Sequence, residues 1–321
     1  WSSDVCSSDL TTTLHYPIQN FKQPVRQVVA MGFFDGVHLG HQAVIKRAKA
    51  EADALGVPLA VLTYDPHPSI AFKALTEPLK YLTVVKQKAQ LLETLGVSEM
   101  YKMQFTSQLA GLSPQVFVDE VLMQLNPVAV VAGFDHLYGS DKNQANMANL
   151  AIYAKARFDV IIVPEFDDLG LKIGSSKIRS ALCVGDMQTV NRQLGRIYHT
   201  TGIVVHGEAR GRELGFPTAN VLTPELEWLP GIGIYAVKIS IAGQWHIGMA
   251  SIGRNVTFGD NRPITVEINI LDFNQAIYGE DVTVAWHHHL RGEVKFNQVD
   301  DLIAQLEKDK VATRTYFETL D

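Results

Sequence analysis

The chain has very few cysteines, no long apolar run and only a small excess of negative charge. Two cysteines in 321 residues are too few for a disulfide framework, so we expect a reducing, cytoplasmic location. No apolar run approaches the roughly 18–20 residues that a membrane span needs, which predicts no membrane insertion. A formal net charge of −6 argues against broad nucleic-acid binding, so attraction for a polyphosphate must be local or carried by a metal.

The hydrophobic pattern changes between the two halves of the chain. Between residues 28 and 163, short β-rich runs alternate with helical stretches, which is typical of βαβ units around a parallel sheet. After Arg196, short strands broken by glycines predict a small antiparallel β-barrel, followed by a helix over 298–308. We therefore predict two domains, because one core rarely serves 321 residues. Their expected bounds are a disordered or non-native leader at 1–13, an α/β Rossmann-like domain at 14–185, a linker at 186–196 and the barrel at 197–321.

The segment from Gly32 to His41 is the most informative one, because a glycine-rich turn there joins a predicted strand to a predicted helix. His38 and His41 are three residues apart and share one helix face. The N–H groups and the positive end of the helix predict a phosphate site, which two imidazoles could serve as donors. Two surface histidines on an amphipathic helix are the alternative, whereas a catalytic zinc would need a third ligand nearby.

This segment resembles the HxGH motif of the nucleotidylyltransferase superfamily. With Phe34-Asp35-Gly36 ahead of the histidines, it is similar to the adenylyltransferase half of the bacterial bifunctional riboflavin kinase/FAD synthetases. The resemblance implies that the turn binds ATP and its phosphates. The residues expected to do so are Gly32, Phe33, Phe34, Asp35, Gly36 and Gly40.

Two further loops follow predicted strands of the first domain. The two prolines of Pro66-His67-Pro68 make the segment rigid. Taken alone, this pattern is typical either of an ordinary turn or of a segment that packs against a planar ligand. Asp135 has two interpretations, either the cap of a helix or turn or an acid that binds a ligand. In the resembled family the first segment lines the flavin and the second position holds the flavin or the metal. Here His136-Leu137-Tyr138 departs from the family pattern.

A predicted helix start at residue 175 combines small hydroxyls with cations. The hydroxyls could be simple N-caps, but two cations in a first helical turn oppose the helix dipole and favour an anion. The family form is Ile-Ser-Ser-Thr-x-Ile-Arg, and here Gly174 replaces its first serine. The resemblance implies that Ser175, Ser176 and Arg179 clamp the ATP phosphates with one hydroxyl missing.

The second dense motif lies between residues 202 and 220. Gly207, Gly211 and Gly215 predict a loop over a ligand, without the Gly-Lys-Ser/Thr ending of a Walker A motif. Thr218 and Asn220 are two apart on an extended segment, so they point the same way and offer oxygen ligands that suit Mg²⁺. A glycine-rich hairpin with a Pro-Thr turn is the alternative.

The same span resembles riboflavin kinase, in which Pro-Thr-Ala-Asn carries the metal and the nucleotide phosphates. Glu267 lies among apolar neighbours, where a charge is costly unless it has a task or a salt-bridge partner. The resemblance implies that Glu267 is the catalytic base for the ribityl 5′-hydroxyl and that Arg291 lies near the flavin. The run 287–289 of three histidines is expected to be packing or surface, not a metal site.

The resemblance predicts an enzyme with two activities. The barrel would phosphorylate riboflavin with ATP and Mg²⁺ to give FMN, and the α/β domain would adenylylate FMN to FAD, with His38, His41 and Arg179 stabilising the transition state. We expect a monomer or weak homo-oligomer with no nucleic-acid partner. Two alternatives are a kinase-only enzyme whose first site is impaired by its departures from the pattern, and a non-catalytic flavin-binding regulator.

Overall fold

The computed structural model of the chain describes residues 10–71, 78–141, 143–168, 171–207, 210–254 and 264–320. Its contacts divide the chain into two compact units, Trp1–Gly174 and Ser175–Asp321. The division therefore falls before the segment 186–196 that the sequence pattern indicates as a linker. Most of that segment is a helix of the second unit, Met187–Leu194.

A six-stranded parallel sheet forms the centre of the first unit, with the strand order β1-β4-β3-β2-β5-β6. The strands are β1 (Thr11–Leu14), β2 (Gln27–Met31), β3 (Leu59–Asp65), β4 (Glu99–Gln104), β5 (Pro127–Gly133) and β6 (Asp159–Val163). The central strands are buried on both faces, since Val29 and Met31 pack into one core cluster and Val28 and Ala30 into another. This confirms the predicted α/β domain, because strands covered on both sides are apolar throughout.

The helices of the first unit are α1 (Leu39–Leu55), α2 (Val85–Thr94), α3 (Ser107–Ala110), α4 (Pro114–Phe117) and α5 (Met147–Ala154). The helix predicted over 114–125 is divided, because α4 continues as a π-helical turn at Val118–Leu122 and a 3₁₀ turn at Met123–Leu125. A 3₁₀ turn also covers Pro68–Ala71, and a short hairpin pairs β7 (Asp167–Asp168) with β8 (Leu171–Lys172).

The prediction that the folded part begins near residue 14 is wrong. Thr11–Leu14 form β1, which pairs with β4 at one edge of the sheet. The Met100 backbone N–H also donates to the Leu10 carbonyl at 2.7 Å. A neighbouring strand with open hydrogen-bonding groups explains why these threonine-rich residues become ordered. Residues 1–9 of the predicted leader lie outside the described residues.

The second unit is a closed barrel with the strand order β10-β13-β12-β11-β14-β9, as the sequence pattern predicts. Its strands are β9 (Tyr198–Val205), β10 (Ala219–Leu222), β11 (Gly233–Ile241), β12 (Gln244–Gly253), β13 (Thr265–Ile270) and β14 (Asp281–Arg291). All of these neighbours pair antiparallel. Trp286 and Tyr235 are fully buried and meet edge-on, with 5.4 Å between their rings.

Helices α6 (Ser175–Cys183), α7 (Met187–Leu194), α8 (Arg210–Glu213) and α9 (Val299–Glu318) complete this unit. The terminal helix ends ten residues beyond the predicted 298–308, because buried residues continue through Asp309, Thr313 and Phe317 at four-residue spacing. None of the helices in the described residues is long and apolar enough to cross a membrane.

Candidate active sites

Three of the predicted motifs lie at the same edge of the parallel sheet. The His38–His41 turn follows β2, Pro66-His67-Pro68 follows β3, and Asp135 follows β5. These strands are neighbours, and the strand order reverses between β2 and β5. Ligands of open α/β sheets bind beyond the carboxyl ends of the strands at such a reversal. The topology therefore places the histidine turn where a nucleotide is expected.

His38 is both the N-cap of α1 and half of a stacked histidine pair. Its Nδ1 accepts a hydrogen bond from the His41 backbone N–H at 3.2 Å, and the two rings stack with 3.6 Å between their centroids. In a neutral imidazole that accepts at Nδ1, the proton is on Nε2. His38 can therefore present an Nε2–H donor to a ligand.

Burial makes His41 a weak base. It lowers the pKa of His41 well below its ordinary value, and the charges of His38 and Lys88 lower it further. Among the described residues, the buried His41 Nδ1 has no hydrogen-bond partner. Buried polar atoms of this kind are rare and call for an explanation, and a bound substrate would provide one.

The turn before α1 has a backbone that few sequences adopt. Phe34, Gly36 and Val37 all have positive φ, at 54°, 83° and 41°. A Cβ on Gly32 would lie 2.7 Å from the Phe34 ring, and one on Gly40 would lie 3.3 Å from the His38 ring. The glycines therefore make room for the aromatic and imidazole rings that shape the turn.

Asp35 holds the turn against the segment that leads into α2. Its carboxylate, only 2% exposed, accepts hydrogen bonds from the backbone N–H groups of Leu82 at 2.8 Å and Thr83 at 3.2 Å. The Thr83 hydroxyl in turn accepts from the Gly36 N–H at 3.0 Å. This gives Asp35 a structural task, and its direct contact with ATP stays a prediction.

The proline loop after β3 lies against the same turn. The His67 ring meets Phe33 edge-on at 4.4 Å, and its Nδ1 accepts from the Ser69 N–H at 3.1 Å. The Tyr81 hydroxyl accepts from the His67 backbone N–H at 3.2 Å. These contacts fix His67 beside the histidine turn, while its assignment to the flavin, with that of Pro66 and Pro68, stays a prediction.

The segment after β5 carries the residues that depart from the family pattern, and they differ in how exposed they are. Asp135 is exposed, and the neighbouring Phe134 N–H donates to the Val163 carbonyl at 2.9 Å. Tyr138 is a core residue packed 5.4 Å from Phe117, whereas Leu137 is 46% exposed. Only part of the altered triplet therefore faces outward.

The predicted phosphate clamp lies on α6, in the second unit. The Arg179 guanidinium is 3.4 Å from the Ser176 hydroxyl, and Ser175 begins the helix. Gly174 has no left-handed φ, and a Cβ there would meet nothing within 4 Å. The contact of this group with ATP stays a prediction.

In the barrel, the predicted metal ligands and the predicted base come together. The Thr218 hydroxyl is 3.3 Å from Glu267 Oε2, and Asn220 on β10 pairs with Glu267 on β13. The Thr265 hydroxyl is 3.5 Å from Glu267 Oε1. A hydroxyl, an amide and a carboxylate make an all-oxygen donor set, which fits Mg²⁺.

Two of the predicted glycines lie close to these groups. A Cβ on Gly207 would lie 2.0 Å from the Asn220 side-chain nitrogen, and one on Gly211 would lie 2.3 Å from the Phe216 carbonyl and 3.3 Å from the Thr218 hydroxyl. Gly215 has φ +82°, a conformation that other residues rarely adopt. Gly207 and Gly211 can lie this close to Asn220 and Thr218 because they lack a Cβ, and Gly211 is part of the short helix α8 where the sequence pattern predicts a loop.

Arg291 has a strong partner on the C-terminal helix. Its Nε and Nη2 atoms donate to the two carboxylate oxygens of Asp309 at 2.9 and 2.7 Å. The nearby histidines pack as predicted: His288 stacks on Tyr316 at 5.0 Å, and His287 meets Phe317 edge-on at 4.9 Å. No group of three His, Cys, Asp or Glu side chains that could hold a metal ion occurs in the parts of the chain that the structure describes.

Sequence reasoning missed two groups that organise these sites. Lys88 is 3% exposed and donates to the Phe33 carbonyl, and Asp309 is 3% exposed and binds Arg291. Charged residues on amphipathic helices are normally solvated, so the residue type alone marked neither of them as buried. The signal available was the four-residue spacing of Asp309, Thr313 and Phe317.

Comparison with known proteins matches this division into two units. Residues 20–177 match the family model of FAD synthetase, and residues 194–317 match that of riboflavin kinase. A bifunctional riboflavin kinase/FMN adenylyltransferase of Listeria monocytogenes is 48% identical over 97% of this chain and 99% of its own length. One of Bacillus subtilis is 39% identical over 93% of this chain and 95% of its own length.

A solved structure from Streptococcus pneumoniae, described as a macrolide-efflux protein, is also similar. It has a TM-score of 0.89 at 37% identity and covers 95% of this chain and 99% of its own. A kinase-only enzyme or a non-catalytic regulator is not favoured, since both family models match within one chain. The chain belongs to the family of bifunctional riboflavin kinase/FMN adenylyltransferases, which phosphorylate riboflavin to FMN and adenylylate FMN to FAD with ATP.

Proposed function

We propose that the two reactions use two separate residue sets, Glu267 with Thr218 and Asn220 for the kinase, and His38 with His41 for the adenylyltransferase. The observation that supports the first set is the 3.3 Å contact between Thr218 and Glu267, which brings a predicted metal ligand and a predicted base together. The stacked histidine pair at the strand-order reversal supports the second.

In the kinase reaction, Glu267 accepts the proton of the ribityl 5′-hydroxyl as that oxygen attacks the γ-phosphorus of ATP. The bond from this phosphorus to the bridging oxygen breaks, and ADP leaves. Thr218 and Asn220 would hold Mg²⁺, which supplies positive charge to the phosphate groups. Gly207, Gly211 and Gly215 allow the backbone to approach the nucleotide, and Arg291 binds the flavin while Asp309 fixes its orientation.

In the adenylyltransferase reaction, a phosphate oxygen of FMN attacks the α-phosphorus of ATP and pyrophosphate leaves, with no covalent enzyme intermediate. His38, presenting Nε2–H, and His41 donate to oxygens that gain negative charge. Gly32, Phe33, Phe34, Asp35, Gly36 and Gly40 form the turn that receives the nucleotide. Pro66, His67, Pro68 and Asp135 contact the flavin.

Three assignments rest on motifs and composition alone. Ser175, Ser176 and Arg179 bind the ATP phosphates, as the family motif implies. The protein works in the cytoplasm as a monomer or weak homo-oligomer. Its net charge of −6 supports small-molecule partners and no nucleic acid.

A reciprocal pair of variants tests the division. Glu267→Gln keeps the side-chain shape but removes the base, so FMN formation should fall roughly 10²–10⁴-fold while FAD formation from supplied FMN is unchanged. His41→Ala should lower FAD formation by roughly 10²-fold or more and leave FMN formation intact. Separating the flavin products by chromatography measures both. A Glu267→Gln protein with near-normal FMN output would limit Glu267 to a structural role.

The histidine variant also separates two roles by its kinetic parameters. A fall in kcat at saturating ATP supports action on the transition state. A rise in KM for ATP with unchanged kcat would make the histidines binding groups only.

A further inference from the structure

A lysine that none of the motifs includes is buried behind the histidine turn. Lys88 lies in the first turns of α2, and its ammonium group donates to the Phe33 carbonyl at 2.7 Å. It is also 3.4 Å from the Thr63 hydroxyl and 4.5 Å from the centre of the Phe33 ring. A lysine with 3% exposure is costly to bury, and a charge that is kept in such a place calls for a task.

The contacts of Lys88 converge on one peptide group of the turn. The Thr63 hydroxyl donates to the same Phe33 carbonyl at 2.9 Å, so this oxygen accepts two hydrogen bonds. The N–H of Phe34 belongs to the same peptide unit, and hydrogen bonds to the carbonyl polarise that unit and make its N–H a stronger donor. The next residues of the chain lead directly into His38 and His41.

We propose that Lys88 is a positioning residue for FMN adenylylation, whose ammonium group holds the Phe33 peptide and thereby the turn that carries His38 and His41. The proposal rests on the assignment of these histidines to the adenylyltransferase reaction. Lys88 does not touch the reacting groups itself, because its nitrogen is enclosed by Phe33 and Thr63. It acts through the turn and through its charge.

The burial and the charges around Lys88 shift its pKa and that of His41, and both shifts can be measured. Burial lowers the pKa of Lys88 to about 8, and the carboxylates of Asp35 and Asp65 oppose that shift. Burial lowers the pKa of His41 most, and His38 and the Lys88 cation lower it further. Tyr81, before α2, also faces this cluster, and burial raises its pKa. Lys102 on β4 pairs with Asp65 at 3.7 Å, and the His67 ring meets Phe33 edge-on. Lys88 is therefore charged below pH 8 and loses its proton above it.

The test uses the full chain with Lys88→Met, Lys88→Arg and, as a matched control, Lys86→Met on the exposed side of the same helix. Lys88→Met should lower kcat for FAD formation by about 10²-fold, since small displacements of a catalytic turn have effects of this size. Lys86→Met should have the wild-type rate. FMN formation should be the same in all variants.

Two readouts distinguish positioning from mere support of the fold. The wild-type rate of FAD formation should fall above pH 8, whereas Lys88→Arg, which stays charged, should keep its rate to higher pH. Titration by NMR should give a higher pKa for His41 in Lys88→Met, because a neighbouring cation is lost. If Lys88→Met does not fold, an alkaline fall in Lys88→Arg identical to that of the wild type overturns the proposal.

The outcome also separates this proposal from the one on which it rests. If His41→Ala abolishes FAD formation while folded Lys88→Met retains it, the lysine is structural and only the present inference fails. If His41→Ala itself has normal activity, the assignment of the histidines fails, and with it the reason for a positioned turn.

Discussion

At the scale of single residues, the two sites depend on how closely backbone and side chains approach each other. Gly207 is the sharpest case, because a Cβ there would lie 2.0 Å from the Asn220 side-chain nitrogen. Gly207→Ala must displace the Asn220 amide, so we expect riboflavin phosphorylation to fall roughly tenfold to 10²-fold with a raised KM for Mg²⁺. FAD formation from supplied FMN is the internal control. Normal kinase rates at limiting Mg²⁺ would show that Asn220 is not a metal ligand.

Gly174 gives the opposite expectation, because there is room for a side chain. Its φ is outside the left-handed region and a Cβ would meet nothing within 4 Å, so a serine fits without strain. Gly174→Ser restores the hydroxyl of the family motif, and a hydrogen bond to an anion contributes about 1.5–3 kcal/mol. We expect kcat/KM for FAD formation to rise roughly tenfold, with the kinase unchanged.

Gly174→Ala provides the matched control for this change, because it adds the Cβ without the hydroxyl. Equal gains in the alanine and serine variants would indicate a backbone effect. No gain in a normally folded serine variant would contradict the missing-hydroxyl explanation.

At the scale of elements, an ion pair attaches α9 to the barrel. Asp309 accepts three hydrogen bonds from Arg291 and one from Gln305 at 2.9 Å. Asp309→Ala leaves the mostly buried Arg291 without this partner, so we expect the second unit to lose about 3 kcal/mol of unfolding free energy. Tryptophan fluorescence during denaturant unfolding measures this, since Trp228, Trp245 and Trp286 all lie in that unit.

A second pair on the same helix is the control. Arg314 binds Asp272 at 2.9 Å, but both side chains are exposed, so Asp272→Ala should cost less than about 1 kcal/mol. The Asp309 change should also raise the KM for riboflavin if Arg291 contacts the flavin. Equal stability losses in the two variants would contradict the role assigned to burial.

The sequence predicted those elements that a local pattern of apolar residues or glycines indicates. The strands 28–31 and 127–132 are apolar because both of their faces are covered, and the histidine turn follows from its glycines. Three contacts had no signal in the hydrophobic pattern: the pairing of β1 with β4, the bond between Asp309 of α9 and Arg291, and the bond from Lys88 of α2 to the histidine turn. Each is a long-range contact between polar groups, which hydrophobic periodicity does not register.

At the scale of the whole molecule, the division into two units predicts where the kinase can be separated. In the second unit, α7 covers the barrel with the fully buried Val190 and Leu194. Asn191 of this helix accepts from the Tyr198 N–H at 2.8 Å and donates to the Trp286 carbonyl at 3.0 Å. A fragment that begins at residue 197 lacks Val190, Asn191 and Leu194, although it contains every predicted kinase residue.

We therefore expect the fragment 175–321 to form FMN at close to the rate of the full chain, and the fragment 197–321 to be much less stable. Two buried aliphatic side chains contribute roughly 3–6 kcal/mol. For a unit of this size that corresponds to a melting temperature lower by roughly 10 °C or more. Thermal unfolding and FMN formation, measured on both fragments, check this. Equal melting temperatures and equal rates would place the boundary near residue 197, as the sequence pattern predicts, and would make α6 and α7 dispensable for the barrel.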